Sequence, residues 1–330
     1  METRWLEDFV SLAETRSFSR AAQLRHITQP AFSRRIQALE AWAGVDLVDR
    51  SAYPTRLTPA GQTLYAQALD ILQSLQAVRS MLRGQTSGAH DVIEFAVPHT
   101  LAFAFFPQWL SAVREGYGSI KSRLHAMNVH DAVLRLVEGG CDVLMAYHHG
   151  TQPVQLDPER YDMVVLGQEW LAPYARADAQ GAPLYRLPGS AGHPVPYLAY
   201  APGAYLGQVT DRLLQQADPP ARLDRIYETD MAEGLKAMAL AGHGVAFLPH
   251  SAVQRELEAG RLASALPVLA ERPAEKLAEK PAAGGPGAAA EAWQVPLEVR
   301  AYRARPGPRH PGKPAVEALW SFISSGTKLV

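Results

Sequence analysis

The chain has 330 residues, 47% of them hydrophobic, and a formal net charge of -1. This composition provides apolar material for two or three globular domains, and the near-neutral charge means that any nucleic-acid partner must be argued from local charge. A single cysteine excludes an intramolecular disulfide framework and favours a reducing compartment. Charges interrupt the apolar pattern of the N-terminus, and no apolar run approaches membrane-spanning length. We therefore expect a cytoplasmic protein with no membrane partner.

The first part of the chain has the pattern of three short helices and a wing. After an amphipathic first helix, Ser17 can cap a second helix and Thr28 a third. Pro30 is tolerated because it falls in the first turn of the third helix, which ends at Gly44. Residues 45–57 then read as a strand, a turn and a second strand. The sequence predicts a winged helix-turn-helix unit.

The third helix has an apolar face and a polar ridge. If Phe32, Ile36 and Leu39 are buried, the polar residues between them face outward, and an α-helix carrying Arg and Gln fits the DNA major groove. Five arginines and no acidic residue occur from Thr15 to Leu39, which predicts a positive local potential. The alternative is a solvated basic surface. The predicted DNA-binding residues are Arg20, Thr28, Gln29, Pro30, Ser33, Arg34, Gln37 and Arg50.

A long helix follows the wing. Thr58 can cap it, and Pro59 suits its first position. Apolar residues then alternate in steps of four and three, which is typical of a dimerisation seam. The alternative is an amphipathic helix that packs on its own domain. The predicted seam consists of Leu64, Ala68, Ile71, Leu75, Val78 and Leu82.

Beyond residue 92 strands alternate with helices, which predicts a parallel sheet with helices on both faces. We expect two α/β lobes joined by two crossovers, with the last strand and helix returning to the first lobe. A segment rich in Ala, Pro and Gly reads as a disordered insertion. The predicted divisions are a winged helix-turn-helix at 1–58, a linker helix at 59–84, a hinge at 85–91, a first lobe at 92–166 and 293–330, a second lobe at 167–270, and the insertion at 271–292.

The N-terminal stretch "SFSRAAQLRHITQPAFSRRIQALEAWAGVDLVDR", followed by "RLTPAG", resembles the LysR-type transcriptional regulators. Val48 departs from the family pattern, which usually has Phe there. Similarity continues in "HTLA" and "LKAMALAGHGVAFLP" and extends over the chain apart from 271–292. Within the family the chain is similar to the group that includes the hypochlorite-responsive regulator.

The resemblance implies an α/β multidomain protein: a DNA-binding domain, a linker helix and two periplasmic-binding-protein-like lobes that hold a small-molecule effector in their cleft. It also implies that the protein binds double-stranded promoter DNA as a homodimer or homotetramer and acts as an activator or repressor. No cofactor is implied.

In three segments of the two lobes, a predicted strand ends at the place where a ligand in the cleft would lie. Helix N-termini at these points favour an anionic ligand, although Asp230 opposes one because a carboxylate repels an anion. The alternative is that these side chains cap helices or pack loops. The predicted effector residues are His99, Thr100, Tyr147, Tyr205, Thr229 and Asp230.

Methionine oxidation is a second hypothesis for the signal, since a sulfoxide is polar where a thioether is apolar. Met231 is the first candidate because it lies at the predicted start of a cleft helix. Buried methionine is otherwise ordinary core filling. Cys141 enters a strand, where a small core residue is favoured over a redox-sensing thiol.

Two other classes of protein fit the sequence poorly. No G-x-S-x-G, P-loop or H-E-x-x-H motif is present, and "GHGVAF" has only two of the glycines of a dinucleotide fingerprint, so we expect no enzyme. The histidines lack zinc-site spacing, so no metal is predicted. A solute-binding protein would explain the two lobes but not the N-terminal domain.

Overall fold

The computed structural model describes residues 2–52, 54–83, 91–190, 192–266, 293–307 and 312–325. The predicted insertion 271–292 and nearly all of the predicted hinge lie outside them, as does the side chain of Leu82. The helices are α1 (Thr3–Thr15), α2 (Phe18–Leu24), α3 (Gln29–Ala43), α4 (Pro59–Arg83), α5 (His99–Ala104), α6 (Phe106–Gly116), α7 (Val129–Val137), α8 (Tyr205–Gln216), α9 (Ala232–Leu240), α10 (His250–Glu258) and α11 (Pro314–Ser324). The strands are β1 (Val48–Asp49), β2 (Arg56–Leu57), β3 (Val92–Pro98), β4 (Lys121–Met127), β5 (Val143–His148), β6 (Tyr161–Arg176), β7 (Val195–Tyr200), β8 (Leu223–Thr229), β9 (Val245–Pro249), β10 (Leu262–Ser264) and β11 (Val295–Ala304).

The N-terminal domain is the predicted winged helix-turn-helix. The Ser17 hydroxyl accepts a hydrogen bond from the backbone N–H of Arg20, and the Thr28 hydroxyl accepts one from that of Ala31, so both act as helix caps. Gly44 ends α3 with a φ of 73°, a left-handed conformation that glycine adopts at little cost. The two-residue strands β1 and β2 pair antiparallel as the wing.

The linker helix α4 has one apolar face that packs on its own domain and another that is exposed. Ala68, Leu69 and Leu72 are buried in the apolar cluster that also contains the core of α1–α3, so this part of the helix packs on its own domain. Ile71 and Leu75 are 40% and 47% exposed, and Val78 is 53% exposed. The predicted seam is therefore divided. Ala68 belongs to the face that packs on its own domain, whereas Ile71, Leu75 and Val78 remain uncovered in the single chain.

The regulatory region contains one nine-stranded sheet with strand order β4-β3-β5-β11-β6-β9-β7-β8, in which β10 pairs with β6. The prediction of a parallel sheet was wrong for its centre, since β11 runs antiparallel to both β5 and β6, and β6 runs antiparallel to β9. The late strand does return to the first lobe, where it pairs with β5.

Strand β6 joins the two lobes. This 16-residue strand pairs with β11 from Tyr161 to Leu171, with β9 from Leu171 to Tyr174 and with β10 from Tyr174 to Arg176. The predicted lobe boundary at 166/167 thus falls inside a continuous strand.

None of the helices in the described part of the chain has the length and apolar character that a membrane span requires.

Candidate nucleic-acid interface and interlobe site

Helix α3 presents a polar face to solvent. Its apolar side is fixed by Phe32, Ile36 and Leu39, each with no measurable exposure. The opposite side carries residues that are exposed, apart from Ser33, which is half-buried. Arg34 forms no ion pair with the residues that the structure describes, so its five N–H donors are available to a partner. The face consists of Gln29, Pro30, Ser33, Arg34 and Gln37.

A buried carboxylate on α1 holds the helices of this domain together. Asp8 is completely buried and accepts hydrogen bonds from Arg25 Nε at 2.9 Å and Arg35 Nη1 at 3.0 Å. Arg25 also pairs with Glu7. In the sequence Asp8 lies between the apolar positions of the amphipathic first helix, and the structure shows that it is nevertheless buried. Two of the five arginines are therefore neutralised internally, and the local potential is less positive than predicted.

A second carboxylate fixes the wing. Glu40 accepts hydrogen bonds from the backbone N–H groups of Leu47 and Val48 at 3.0 and 3.2 Å and pairs with Arg50 Nη2 at 2.6 Å. Arg50 also lies over the Phe18 ring. These contacts assign Arg50 a structural role beside its predicted role on DNA. Arg56, which the sequence prediction did not include, is exposed on β2 opposite Asp49.

Arg20 lies on α2 and is exposed, with no ion pair to any described residue. Thr28 is exposed as well, but its hydroxyl is occupied as a helix cap. Gln29 accepts a hydrogen bond from the Ser19 hydroxyl at 3.0 Å. Part of the predicted set thus lies at the start of α3, with Thr28 used for capping, while Gln37 lies two turns further along the helix and Arg50 lies in the wing.

A polar cluster lies where the two lobes meet. Glu169 on β6 is buried and accepts hydrogen bonds from the backbone N–H and the hydroxyl of Ser251. Tyr147 lies near the end of β5 and Tyr200 ends β7, in opposite lobes, and both hydroxyls are buried. The hydroxyl of Tyr200 has no hydrogen-bond partner among the described residues, whereas Ser251 lies close to that of Tyr147. Burial raises the pKa of both phenols well above the usual range, with Glu233 contributing to each shift, so both are hydrogen-bond donors. Sequence reasoning found only Tyr147 of this cluster.

The other predicted effector residues are dispersed. Thr100 is buried on α5, the helix that contacts α10 of the second lobe, and His99 is half-buried beside it. The Tyr205 hydroxyl donates to the carbonyl of Gln152 at 2.9 Å and so joins α8 to the loop after β5. Thr229 accepts from the backbone N–H of Met231, a capping contact, and Asp230 is exposed. No described contact joins Thr100 to Thr229.

The sulfur atoms differ in access. Met231, the N-terminal cap residue of α9, is 38% exposed, and Met163 is 46% exposed, whereas Met145 is fully buried. Burial raises the pKa of the Cys141 thiol well above its usual range, which disfavours the reactive thiolate. Over the described residues there is no group of three or more His, Cys, Asp and Glu side chains that could hold a metal ion.

Two family profiles match the chain. "Bacterial regulatory helix-turn-helix protein, lysR family" matches residues 3–62, and "LysR substrate binding domain" matches residues 86–276. The chain belongs to the LysR family of transcriptional regulators. As a LysR-type regulator it is a DNA-binding protein with an effector-binding domain, not an enzyme.

Relatives of this LysR-type regulator match it over most of its length. It is 33% identical to the HTH-type transcriptional regulator YjiE of Escherichia coli K12 over 79% of this chain and 83% of that protein. The crystal structure of Vibrio fischeri DarR in complex with DNA is 30% identical, with a TM-score of 0.55 and 98% of each chain covered. Full-length HypT of Salmonella typhimurium, a hypochlorite-specific regulator, is 29% identical, with a TM-score of 0.54 and coverage of 98% and 97%.

Proposed function

We propose that this regulator reads promoter DNA through the exposed face of α3. The observation that carries the proposal is the division of α3 into a fully buried apolar side and a polar side on which Arg34 has no acidic partner among the described residues. Arg34 and Gln37 lie one turn apart, and each side-chain type can form paired hydrogen bonds with a base edge in the major groove. Arg20 on α2 and Arg56 on the wing contact phosphates on either side.

Genome-wide mapping of the DNA bound in cells tests this function. We expect a small set of promoter fragments that share a site of two related half-sites, because a symmetric regulator imposes its symmetry on the operator. Binding distributed evenly over the genome, without a shared site, would contradict a sequence-specific regulator.

We infer that α4 mediates homodimerisation and that a homotetramer forms from such dimers. Ile71, Leu75 and Val78 are spaced by four and three residues and are each at least 40% exposed. A second α4 would cover this stripe, and burial of one large aliphatic side chain contributes about 1.5–3 kcal/mol.

Replacing Leu75 by aspartate is expected to convert the oligomer to smaller species and to weaken operator binding, because the variant places a charge in the apolar stripe of each helix. Sedimentation velocity gives the mass. Gln62→Asp is the matched control, since Gln62 is exposed on the opposite side of α4. Unchanged mass for Leu75→Asp, or an equal effect of Gln62→Asp, would refute α4 as the interface.

We also propose that the interlobe cluster binds the effector and that the ligand is neutral or cationic. Tyr147 and Tyr200 offer two buried donors, of which that of Tyr200 has no partner among the described residues, and Glu169 and Glu233 offer acceptors. Lys236 lies in this region and is paired with Glu233 at 2.7 Å. Two carboxylates favour an amide or an amine over the anion that helix dipoles alone suggest.

Butyramide, butylamine and butyrate form a matched set for this site. We expect NMR titration to show stronger binding of the amide or the amine than of the carboxylate, and Tyr200→Phe to weaken that binding about fivefold, the effect of one neutral hydrogen bond of about 1 kcal/mol. Thr100→Val tests the predicted residue of α5 in the same way. Preferential binding of butyrate, with no loss in Tyr200→Phe, would reject the proposed ligand class.

An oxidant is the second candidate signal. Met231 is accessible and precedes the first turn of α9. The backbone N–H groups of that turn would donate hydrogen bonds to a sulfoxide oxygen. The similarity to hypochlorite-specific HypT supports this candidate. Mass spectrometry after mild oxidation, with DNA affinity measured on the same sample, tests it. Met231 sulfoxide without a change in affinity would exclude the switch.

A further inference from the structure

Two residues other than glycine have a left-handed backbone in the part of the chain that the structure describes, and both lie in turns of the DNA-binding domain. Arg16 ends α1 with a φ of 51° and a ψ of 27°, and His26 follows α2 with a φ of 52°. An L-residue is strained in this conformation because its Cβ crowds the neighbouring carbonyl oxygen, whereas glycine adopts it readily. Glycine would therefore suit both turns better than the residues that occupy them.

The structural contacts of Arg16 come from its main chain. Its N–H donates to the carbonyl of Leu12 at 2.8 Å, and its carbonyl accepts from the N–H of Thr55 at 3.2 Å, so any residue could make both bonds. The side chain is exposed and forms no ion pair with a described residue. Burial raises the pKa of the neighbouring Glu14, and its hydrogen bond from Tyr65 and the charge of Arg16 oppose that rise. The guanidinium of Arg16 therefore stays available to a partner.

Arg16 lies between the wing and the recognition helix. Its bond to Thr55 holds it against the wing, one residue before the exposed Arg56. Two residues further along the chain, Phe18 packs edge-on against Phe32 of α3, with ring centroids 6.0 Å apart. The turn that contains Arg16 is thus attached to both elements that the proposed function places on DNA.

We propose that Arg16 contacts a DNA phosphate beside the wing and that the chain keeps a strained residue at this turn because glycine could not supply the contact. The proposal rests on the proposed DNA-binding function of α3. Strained backbone conformations persist where the surrounding structure fixes them, and they are concentrated at functional sites. A guanidinium that neutralises a phosphate releases counterions whatever the base sequence is, so Arg16 adds affinity and fixes orientation without reading bases.

Arg16→Gly separates a DNA contact from a structural role, because it removes the strain and the charge together. In the full-length protein, amide hydrogen exchange of residues 3–15 in mild urea is expected to slow at least twofold as the strain is relieved. Affinity for a mapped operator and for its shuffled duplex should fall by the same factor, at least threefold, and the salt slope should decrease by about one. Arg16→Lys, which keeps the charge, should bind within twofold of the unsubstituted protein.

Two variants of the same domain serve as controls. Arg4 is exposed near the start of α1, about 18 Å from Arg16 along the helix, and pairs with Glu2, so Arg4→Ala should change affinity less than twofold. His26→Gly relaxes the other left-handed turn. His26 lies near Asp131 of the first lobe, where its charge opposes the rise in the pKa of Asp131 that burial causes. This variant should slow exchange without lowering affinity for DNA.

Unchanged affinity of Arg16→Gly would overturn the contact. A loss of affinity with faster exchange would assign Arg16 a structural role instead, and an equal loss in Arg4→Ala or His26→Gly would show that the effect does not belong to the Arg16 charge. A loss confined to the operator would contradict a phosphate contact. If the unsubstituted protein bound operator and shuffled duplexes equally, the proposed function would fail, whereas the change in salt slope would still report the contact of Arg16.

Discussion

Arg34→Ala is expected to lower affinity for the operator by roughly 5- to 150-fold, which corresponds to about 1–3 kcal/mol for a side chain that forms paired bonds with a base edge. The free energy of unfolding should change by less than about 0.5 kcal/mol, because Arg34 is exposed and makes no ion pair with the described residues. Fluorescence anisotropy with operator and shuffled duplexes measures the first quantity, and urea denaturation the second.

Two other arginines serve as comparisons for Arg34. Arg56→Ala should weaken binding to every duplex alike and lower the salt slope by about one, the behaviour of a lost phosphate contact. Arg114→Ala, at an exposed position of α6 in the first lobe, should change neither the affinity nor the salt slope. If Arg34→Ala weakened operator and shuffled duplexes equally, Arg34 would be a phosphate contact and not a base-reading residue.

Asp8→Ala is expected to destabilise the DNA-binding domain by about 1.5–3 kcal/mol and to weaken operator binding. The substitution removes the buried carboxylate that Arg25 and Arg35 both contact, while Arg25 keeps its ion pairs with Glu7 and Glu138, and hydrogen bonds to charged groups contribute about this much. Urea denaturation followed by circular dichroism gives the change in stability.

Two further variants separate this network from simple loss of volume. Asp8→Asn retains the shape and removes the charge, so it should recover only part of the stability. Arg35→Ala should add little to Asp8→Ala, because residues of one network are not additive. A cost below about 1 kcal/mol for Asp8→Ala would show that the network does not hold the helices together.

The recognition helix was predictable because its signals are local. Thr28 and Gly44 bound it, and the spacing of Phe32, Ile36 and Leu39 defines its buried side, so the polar side follows from helical geometry alone. Asp8 was not predictable in this way. Its position on α1 resembles that of any surface acid, and only the packing of α1 against α2 and α3 shows that two arginines reach it.

The regulatory lobes show the same limit. Alternating strands and helices predict the α/β architecture, but periodicity does not reveal that β6 is one strand shared by both lobes. Most of the interlobe cluster was not predicted, because its members come from distant segments of the sequence. Glu169 and Ser251 are 82 residues apart in sequence, and they meet only because β6 contacts the start of α10.

The most direct test of α3 as a DNA-reading helix is a titration of one mapped operator and its shuffled counterpart over a range of salt concentrations. We predict that affinity for both duplexes falls steeply as salt rises and that the operator is preferred by at least about a thousandfold, the lower limit for specific binding. Equal and weak affinity for the two duplexes at every salt concentration would contradict the account.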